Sequence, residues 1–502
     1  MAVGFASSAQ ALDWKFEPSV GASATYTDNV RQSATNEDDA LILSVTPGFT
    51  LRSEGSRRVQ ASLQYGLTGA VRIGDDSSND DSDLNHNLNA IGKAELIEDF
   101  LFIDGNARIS QELISLLGSP ASADVNDSNR ATVGTYLISP YIQKRLGTFA
   151  NAQARYTASG AIFENQSSAD STVNAFSAGL TSGTQFNDLS WGLNYSLRKA
   201  ENRDASTTTA NTDTTFERAS ATVGYALTRK FRVFGTVGQD WNDYFSTTET
   251  DGSFYSVGFG WSPSRRTSIE ASAGERYSGS TYSFSGSHRT RMSRWTVRYS
   301  EDFSDITQQF LEQASRTFWV CGTTFVESAS NPGGCDGPYS AGYLASIASQ
   351  LGFSIDQIVA LGFLNIGSAN GVYIIKSLTA GVNWDVGRLT FGLSAQDVRR
   401  LYQALDNAED QVQGVTGSVS YRLSPQTTAS SSLSFSRTHV DSLLNAGVER
   451  DDDLVSFSLG LNHRFADKLS GTLIFRHTER DSNVATADYT ENNLTATVNM
   501  RF

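Results

Sequence analysis

The sequence predicts an all-β fold: a single transmembrane antiparallel up-and-down β-barrel of about 22 strands, with about 20 or 18 as the nearest alternatives. Three observations predict it. Segments along the whole chain alternate apolar and polar residues with the two-residue period of a strand. The connections between those segments alternate between tight and long. No apolar run is long enough for a spanning helix. The mean hydropathy of -0.30 and 39% hydrophobic content are low for a helical membrane protein. They suit a barrel, whose strands are apolar on one face only.

The chain has 502 residues, with 42 Gly, 8 Pro and 11% aromatic residues, a composition of strands and turns. Met1 to Ala11 reads as a signal-peptide remnant, with Ala9-Gln10-Ala11 as an A-x-A cleavage pattern. The barrel is then expected over 12–502. Alternation begins at Trp14 and continues through Phe16, Val20, Ala22, Ala24 and Tyr26. Val59, Ala61, Leu63, Tyr65, Leu67, Val71 and Ile73 oppose Gln60, Ser62, Gln64, Thr68 and Arg72. The same pattern returns at Leu189–Leu197 and Val455–Phe465.

The tight connections are Ser53–Arg57, Glu98–Asp99, Arg145–Gly147, Asn187–Asp188, Thr228–Lys230, Ser262–Arg265, Asp385–Arg388, Leu423–Gln426 and Ala466–Lys468. Longer polar connections fall near 31–38, 75–83, 115–128, 201–213, 404–410, 441–452 and 482–488. Phe100, Phe149, Phe186, Phe231, Trp261, Trp384, Phe465 and Phe502 flank the tight turns and are expected to form the inner aromatic girdle. Strand edges are blurred over 99–145 and 265–300.

Residues 304–370 break the hairpin rhythm for longer than a turn needs. Short helices are predicted over Ser340–Leu351 and Ser354–Leu364, with Ser354 as an N-cap. Loop parity places this segment outside, either as a lid or folded into the barrel as a constriction. Its two cysteines, Cys321 and Cys335, are expected to form a disulfide in an exported protein.

The last stretch places Leu494, Ala496, Val498, Met500 and Phe502 on one face, and Thr495, Thr497, Asn499 and Arg501 on the other. A closing barrel strand with a terminal aromatic is the expected signal for the barrel-assembly machinery.

The net charge of -15 collects in short runs at Glu37–Asp39, Asp75–Asp76, Asp80–Asp81 and Asp451–Asp453, read as solvated loop tips, with divalent-ion bridging to lipopolysaccharide or a polymer as the rival reading. An acidic chain without a basic patch argues against nucleic acid. The scattered histidines (His86, His288, His439, His463, His477) form no catalytic or metal motif, although His463 and His477 lie on neighbouring late strands. No catalytic, cofactor or metal residue is assigned, and no enzyme activity is expected. Arg198, Arg298, Arg422, Arg464 and Arg476, with Arg501, fall on the polar face as lumen selectivity candidates. Two readings of them stand side by side: preference for anionic cargo, or bracing of the wall by ion pairs with residues such as Asp240 and Asp385.

Phe16–Val30, Val45–Leu51 and the ending Tyr489–Phe502 resemble a family of outer-membrane β-barrels found with the exosortase (PEP-CTERM) sorting system and exopolysaccharide loci. The resemblance runs over the whole mature chain. It implies an outer-membrane location and a link to exopolysaccharide secretion or surface-protein sorting. Outer-membrane lipid, lipopolysaccharide, exopolysaccharide and periplasmic export proteins are the partners it suggests. The expected function is a transport barrel for exopolysaccharide. The alternatives are a porin for small solutes and a non-conducting barrel for surface-protein assembly. An energy-coupled receptor is disfavoured, because strands begin without a preceding plug domain.

Overall fold

The structure, a computed structural model, describes residues 13–35, 37–54, 56, 58–74, 82–113, 117–118, 129–164, 170–202, 213–315, 318–321, 324–327, 336–339 and 371–502. Its main body is one antiparallel sheet of 22 strands closed on itself. Each strand pairs with its sequence neighbours, from β1 (Asp13–Thr27) through β15 (Ser293–Asp305) and again from β19 (Val372–Val386) to β25 (Tyr489–Arg501). Closure comes from β1 against β25, in register from Ser19 opposite Arg501 to Thr27 opposite Asn493. The Phe502 N–H adds a bond to the Pro18 carbonyl at 2.9 Å. The predicted strand number and up-and-down order are those observed.

The wall is inside out relative to a soluble sheet. Leu459 is 52% exposed on the outer face, while its neighbour Ser458 is 4% exposed on the inner one. Leu433, Val237, Ile73 and Leu494 also point out, and Gln64, Asn89, Ser139 and Thr497 point in. Apolar surface of that extent around the whole circumference requires a lipid environment.

At one end the connections are tight. Gly147 and Gly387 adopt φ of 60° and 66° there, a left-handed turn conformation that glycine takes without a Cβ clash. Register slips beside the turns at Glu95/Ile97, Trp261/Ser264 and Arg464/Ala466, as bulges do. Around this turn end sit Phe149 with Phe186 (5.6 Å), Trp295 with Trp384 (5.3 Å) and the exposed Trp261, Phe465 and Phe502. The opposite, loop end carries the long connections, with one exception. The strands β13 (Thr267–Arg276) and β14 (Gly279–Arg289) are joined there by Tyr277 and Ser278 alone. These are the blurred edges within 265–300.

Asp451–Asp453 is a correction. The run lies within β23 (Arg450–Ala466), not in a loop, so its members face alternate sides. Asp452 points inward and takes bonds from Arg450 and Arg480. Asp453 points outward and is held by Arg437 through two bonds of 2.7 and 2.6 Å. The signal-peptide remnant, the helices over 340–364 and the Cys321–Cys335 bond lie outside the described residues or their described side chains.

Candidate lumenal site

The inner wall is a lattice of hydroxyls and amides bonded across strands. Thr25 meets Thr495, Thr46 meets Thr68 and Thr222 meets Thr236, each at 2.9 Å, and Ser432 meets Ser458 at 2.6 Å. Such pairs arise because residues directly opposite in antiparallel strands share a face.

Into this lumen folds the start of the long segment. A helix, α1 (Ile306–Ser315), leaves β15 and lies against the inner wall of β5 (Leu101–Leu113), β6 (Arg130–Leu146) and β7 (Ala150–Phe163). Asp305 caps it, accepting from the Gln308 N–H at 2.8 Å. Arg198 on β9 (Leu189–Asn202) grips the same carboxylate with two bonds of 2.5 and 3.0 Å. Thr307 donates to Ser171 at 3.0 Å, and Tyr373 donates to Gln309 at 2.8 Å. Phe310 packs on Val133 and on Phe163, ring centres 5.4 Å apart. The sequence carried the signals for this helix, an Asp cap with apolar Ile306 and Phe310 four residues apart, but the reading placed helices only beyond residue 339.

A small three-stranded sheet follows, β16 (Phe318–Cys321), β17 (Thr324–Glu327) and β18 (Asp336–Tyr339). Tyr339 at its end lines a cavity of about 340 Å³ with the inward-facing Gln64, Asn87, Arg464 and Asn499, next to the turn at Asp467. The small sheet thus reaches the inner wall near the turn end. The connection before β6 also bends toward the lumen: Arg480 on β24 (Leu469–Ser482) donates to the Leu117 and Gly118 carbonyls at 2.9 and 3.1 Å.

The five candidate arginines face inward by register but form no ring. Arg198 is spent on Asp305. Arg476 is buried mid-strand opposite Ser458. Arg298 lies opposite Ser285 and Thr379. Arg422 and Arg464 sit beside tight turns at the far end, as does Arg501. Among the described residues, many of the inward ion pairs involve arginines other than these candidates. Asp240, 1% exposed, takes Arg218 at 2.7 Å and Arg276 at 2.9 Å. Arg276 reaches Asp302 at 3.2 Å, Arg155 reaches Asp104 at 3.0 Å, and the fully buried Arg400 holds Asp410 at 2.9 Å. Arg108 pairs with Glu112. Their strand parity would have found them, since Arg155, Thr157 and Ser159 share one face. Asp240 braces the wall with Arg218 and Arg276, not with any of the candidate arginines, and Asp385 accepts from the Thr390 hydroxyl at 3.0 Å.

The C-terminal candidates Leu494, Val498, Met500 and Phe502 are exposed on the outer face, with Ala496 between them. His463 and His477 also turn outward and stay apart: His463 bonds Thr427 and packs on Phe465 at 4.7 Å, while His477 bonds Asn492. His439, Glu449 and Asp451 bring ligand atoms within 4.8 Å of one another on the outward face, an exposed grouping of a kind common without an ion.

No family model matches this chain, and no curated protein matches it. Among solved structures, the siderophore receptor PirA from Acinetobacter baumannii aligns over 97% of this chain and 80% of its own, at 8% identity and a TM-score of 0.50. PirA from Pseudomonas aeruginosa aligns with the same coverage at 7% identity and 0.47. OmpTdeltaL8, a loop deletion mutant of an outer membrane protein of Vibrio cholerae, aligns over 98% of this chain and 100% of its own at 9% identity and 0.32. At these identities the likeness concerns the fold alone. The chain is a closed 22-stranded barrel of the outer-membrane type.

Proposed function

We propose that this protein is an integral outer-membrane channel that passes exopolysaccharide, by transit and not by reaction, with residues 304–370 narrowing its lumen. The observation that carries this reading is the combination of a hydroxyl-rich inner wall with α1 and Tyr339 folded inside it. A polymer strand sliding through a channel needs many exchangeable hydrogen bonds and no deep well. The constriction suits a channel that stays narrow until its export machinery engages, and speaks against a constitutively open porin. In this reading the tight turns face the periplasm and its export proteins. The outer apolar belt contacts lipid and lipopolysaccharide, and the terminal strand serves the assembly machinery. The resemblance at Phe16–Val30 and Val45–Leu51 supports the link to exopolysaccharide and exosortase systems.

The test is surface polysaccharide in a strain lacking the chain, beside a complemented strain. Polymer should disappear from the surface, accumulate in the periplasm and return on complementation. Unchanged polymer output would end the export reading and leave the porin to be tested by single-channel conductance.

A further inference from the structure

Between α1 and the inner wall of β7, β8 (Ser171–Ser182), β9, β10 (Thr214–Thr228) and β11 (Phe231–Asp243) lies a second cavity, of about 250 Å³, open to the lumen. At about 30 Å³ per water it holds roughly eight waters, the room of one sugar ring with its hydroxyls and not of a polymer. Four guanidiniums surround it: Arg155, Arg198, Arg218 and Arg276. Four carboxylates answer them: Asp104, Asp305, Asp240 and Asp302. Glu217 belongs to the same wall, but its carboxylate accepts the Tyr195 hydroxyl at 2.8 Å, on the outward parity of its strand. The cavity is therefore rich in charge and neutral in sum. An anionic guest would have to displace a carboxylate from its arginine, and at Asp240 or Asp305, which are 1% and 9% exposed, that leaves a buried charge behind, which is costly.

The groups left over are of another kind. Among the described residues, the Ser177 and Ser196 hydroxyls, the second Asp302 carboxylate oxygen and the Gln308 amide oxygen line or edge this cavity without a hydrogen-bond partner. They offer hydroxyl donors and several acceptors, with no unpaired cation. Phe216 and Phe303 add ring surface, each beneath a guanidinium, Arg198 at 5.6 Å and Arg276 at 5.0 Å. Flat apolar surface beside unspent acceptors matches a pyranose, which has C–H faces and a rim of hydroxyls.

We infer that this cavity is a saccharide subsite that takes a single uncharged sugar unit of a chain in transit. The inference rests on the transit reading for its cargo class, and in this part of the lumen favours bracing over anion preference for the arginines.

The experiment uses the full-length barrel refolded in detergent, its folding checked by heat-modifiable gel migration. Binding of maltotetraose, a neutral probe, and of trigalacturonate, an anionic one, is measured by calorimetry and saturation-transfer NMR. Maltotetraose should bind saturably and trigalacturonate weakly. Ser177→Trp, which fills the cavity, should weaken maltotetraose at least about tenfold. Gln308→Ala, which leaves the wall untouched, should weaken it by a smaller factor. Tighter binding of the uronate overturns the neutral assignment. Absence of sugar binding, or binding unchanged in both variants, overturns the subsite. The strain experiment is independent: polymer lost on deletion without sugar binding removes the subsite and keeps transit, and sugar binding with unchanged polymer does the reverse.

Discussion

Two of the cavities along the lumen make an instructive pair. The one beneath α1 has its four arginines matched by four carboxylates. The one near the turn end, beside Tyr339, has the exposed Arg464 and Lys468 around the turn at Asp467, and its Glu17 is engaged by Lys15 at 2.9 Å. Both are bounded on one side by the same in-folded segment. Buried charges must be matched, because low dielectric punishes an odd one. Charges beside the open turn end are solvated and escape that demand. The sequence expectation of a single arginine-lined lumen thus divides by depth. Arg198 is structural, while Arg464 lies exposed beside the turn end. A guest entering from the turn end meets exposed, solvated charges first and a neutral, hydrogen-bonding surface later.

The largest effect should come from removing what the cavities share. Replacing 306–370 by a short turn opens both at once. A 22-stranded barrel without internal cover is wide, so single-channel conductance in a planar bilayer should rise at least about fivefold. Unchanged conductance would mean that the segment does not narrow the lumen, and the comparison would lose its common boundary.

Next is Asp240→Asn, which keeps the shape of the side chain and removes the carboxylate shared by Arg218 and Arg276. Breaking a buried pair costs about 3–5 kcal/mol. Arg218 is 36% exposed, so solvent screening reduces the expected loss to about 2–3 kcal/mol. Urea unfolding from liposomes measures it. The same variant should tilt ion selectivity toward anions. If stability and selectivity both stay unchanged, the upper cavity is not charge-matched in the way its geometry indicates.

Much of this was legible in the sequence and some was not, for a physical reason. Strands, faces and turns are written in a two-residue period, which one segment displays by itself, as Val59–Ile73 does. Pairs such as Arg198 with Asp305 join residues 107 apart, and nothing local marks one arginine for one aspartate. The Asp451–Asp453 run misled because three adjacent acids look like a loop. A strand accommodates them by sending the middle one to an arginine inside and its neighbours to His439 and Arg437 outside. The two-residue link between β13 and β14 escaped because its length resembles a turn at the other end of the barrel.

At the lower cavity, Arg464→Gln with Lys468→Gln should reduce anion preference, read as a shift in reversal potential across a salt gradient. These groups lie beside solvent, so screening governs the size of the effect. At ~0.1 M salt the Debye length is about 10 Å and the shift should be clear; at ~1 M it is about 3 Å and the shift should vanish. A shift that persists at high salt would place these charges in a buried environment and erase the distinction between the cavities.

The smallest effect should come from a pair that belongs to neither cavity. Arg437 and Asp453 face each other across β22 (Thr427–Val440) and β23, on the outward face near the loop end. Their geometry is as good as any in the lumen, with two short bonds. Both are partly solvent-exposed, so geometry alone gives them little weight. Asp453→Asn should leave conductance, selectivity and urea midpoint within error. Asp452→Asn, one residue away but facing inward, removes the carboxylate that holds Arg450 and Arg480 and so loosens the grip of Arg480 on the Leu117 and Gly118 carbonyls. That variant should lower the unfolding midpoint measurably. Equal effects from the two adjacent substitutions would show that facing the lumen is not what makes these ion pairs matter, and the contrast between matched and solvated charge would fail with it.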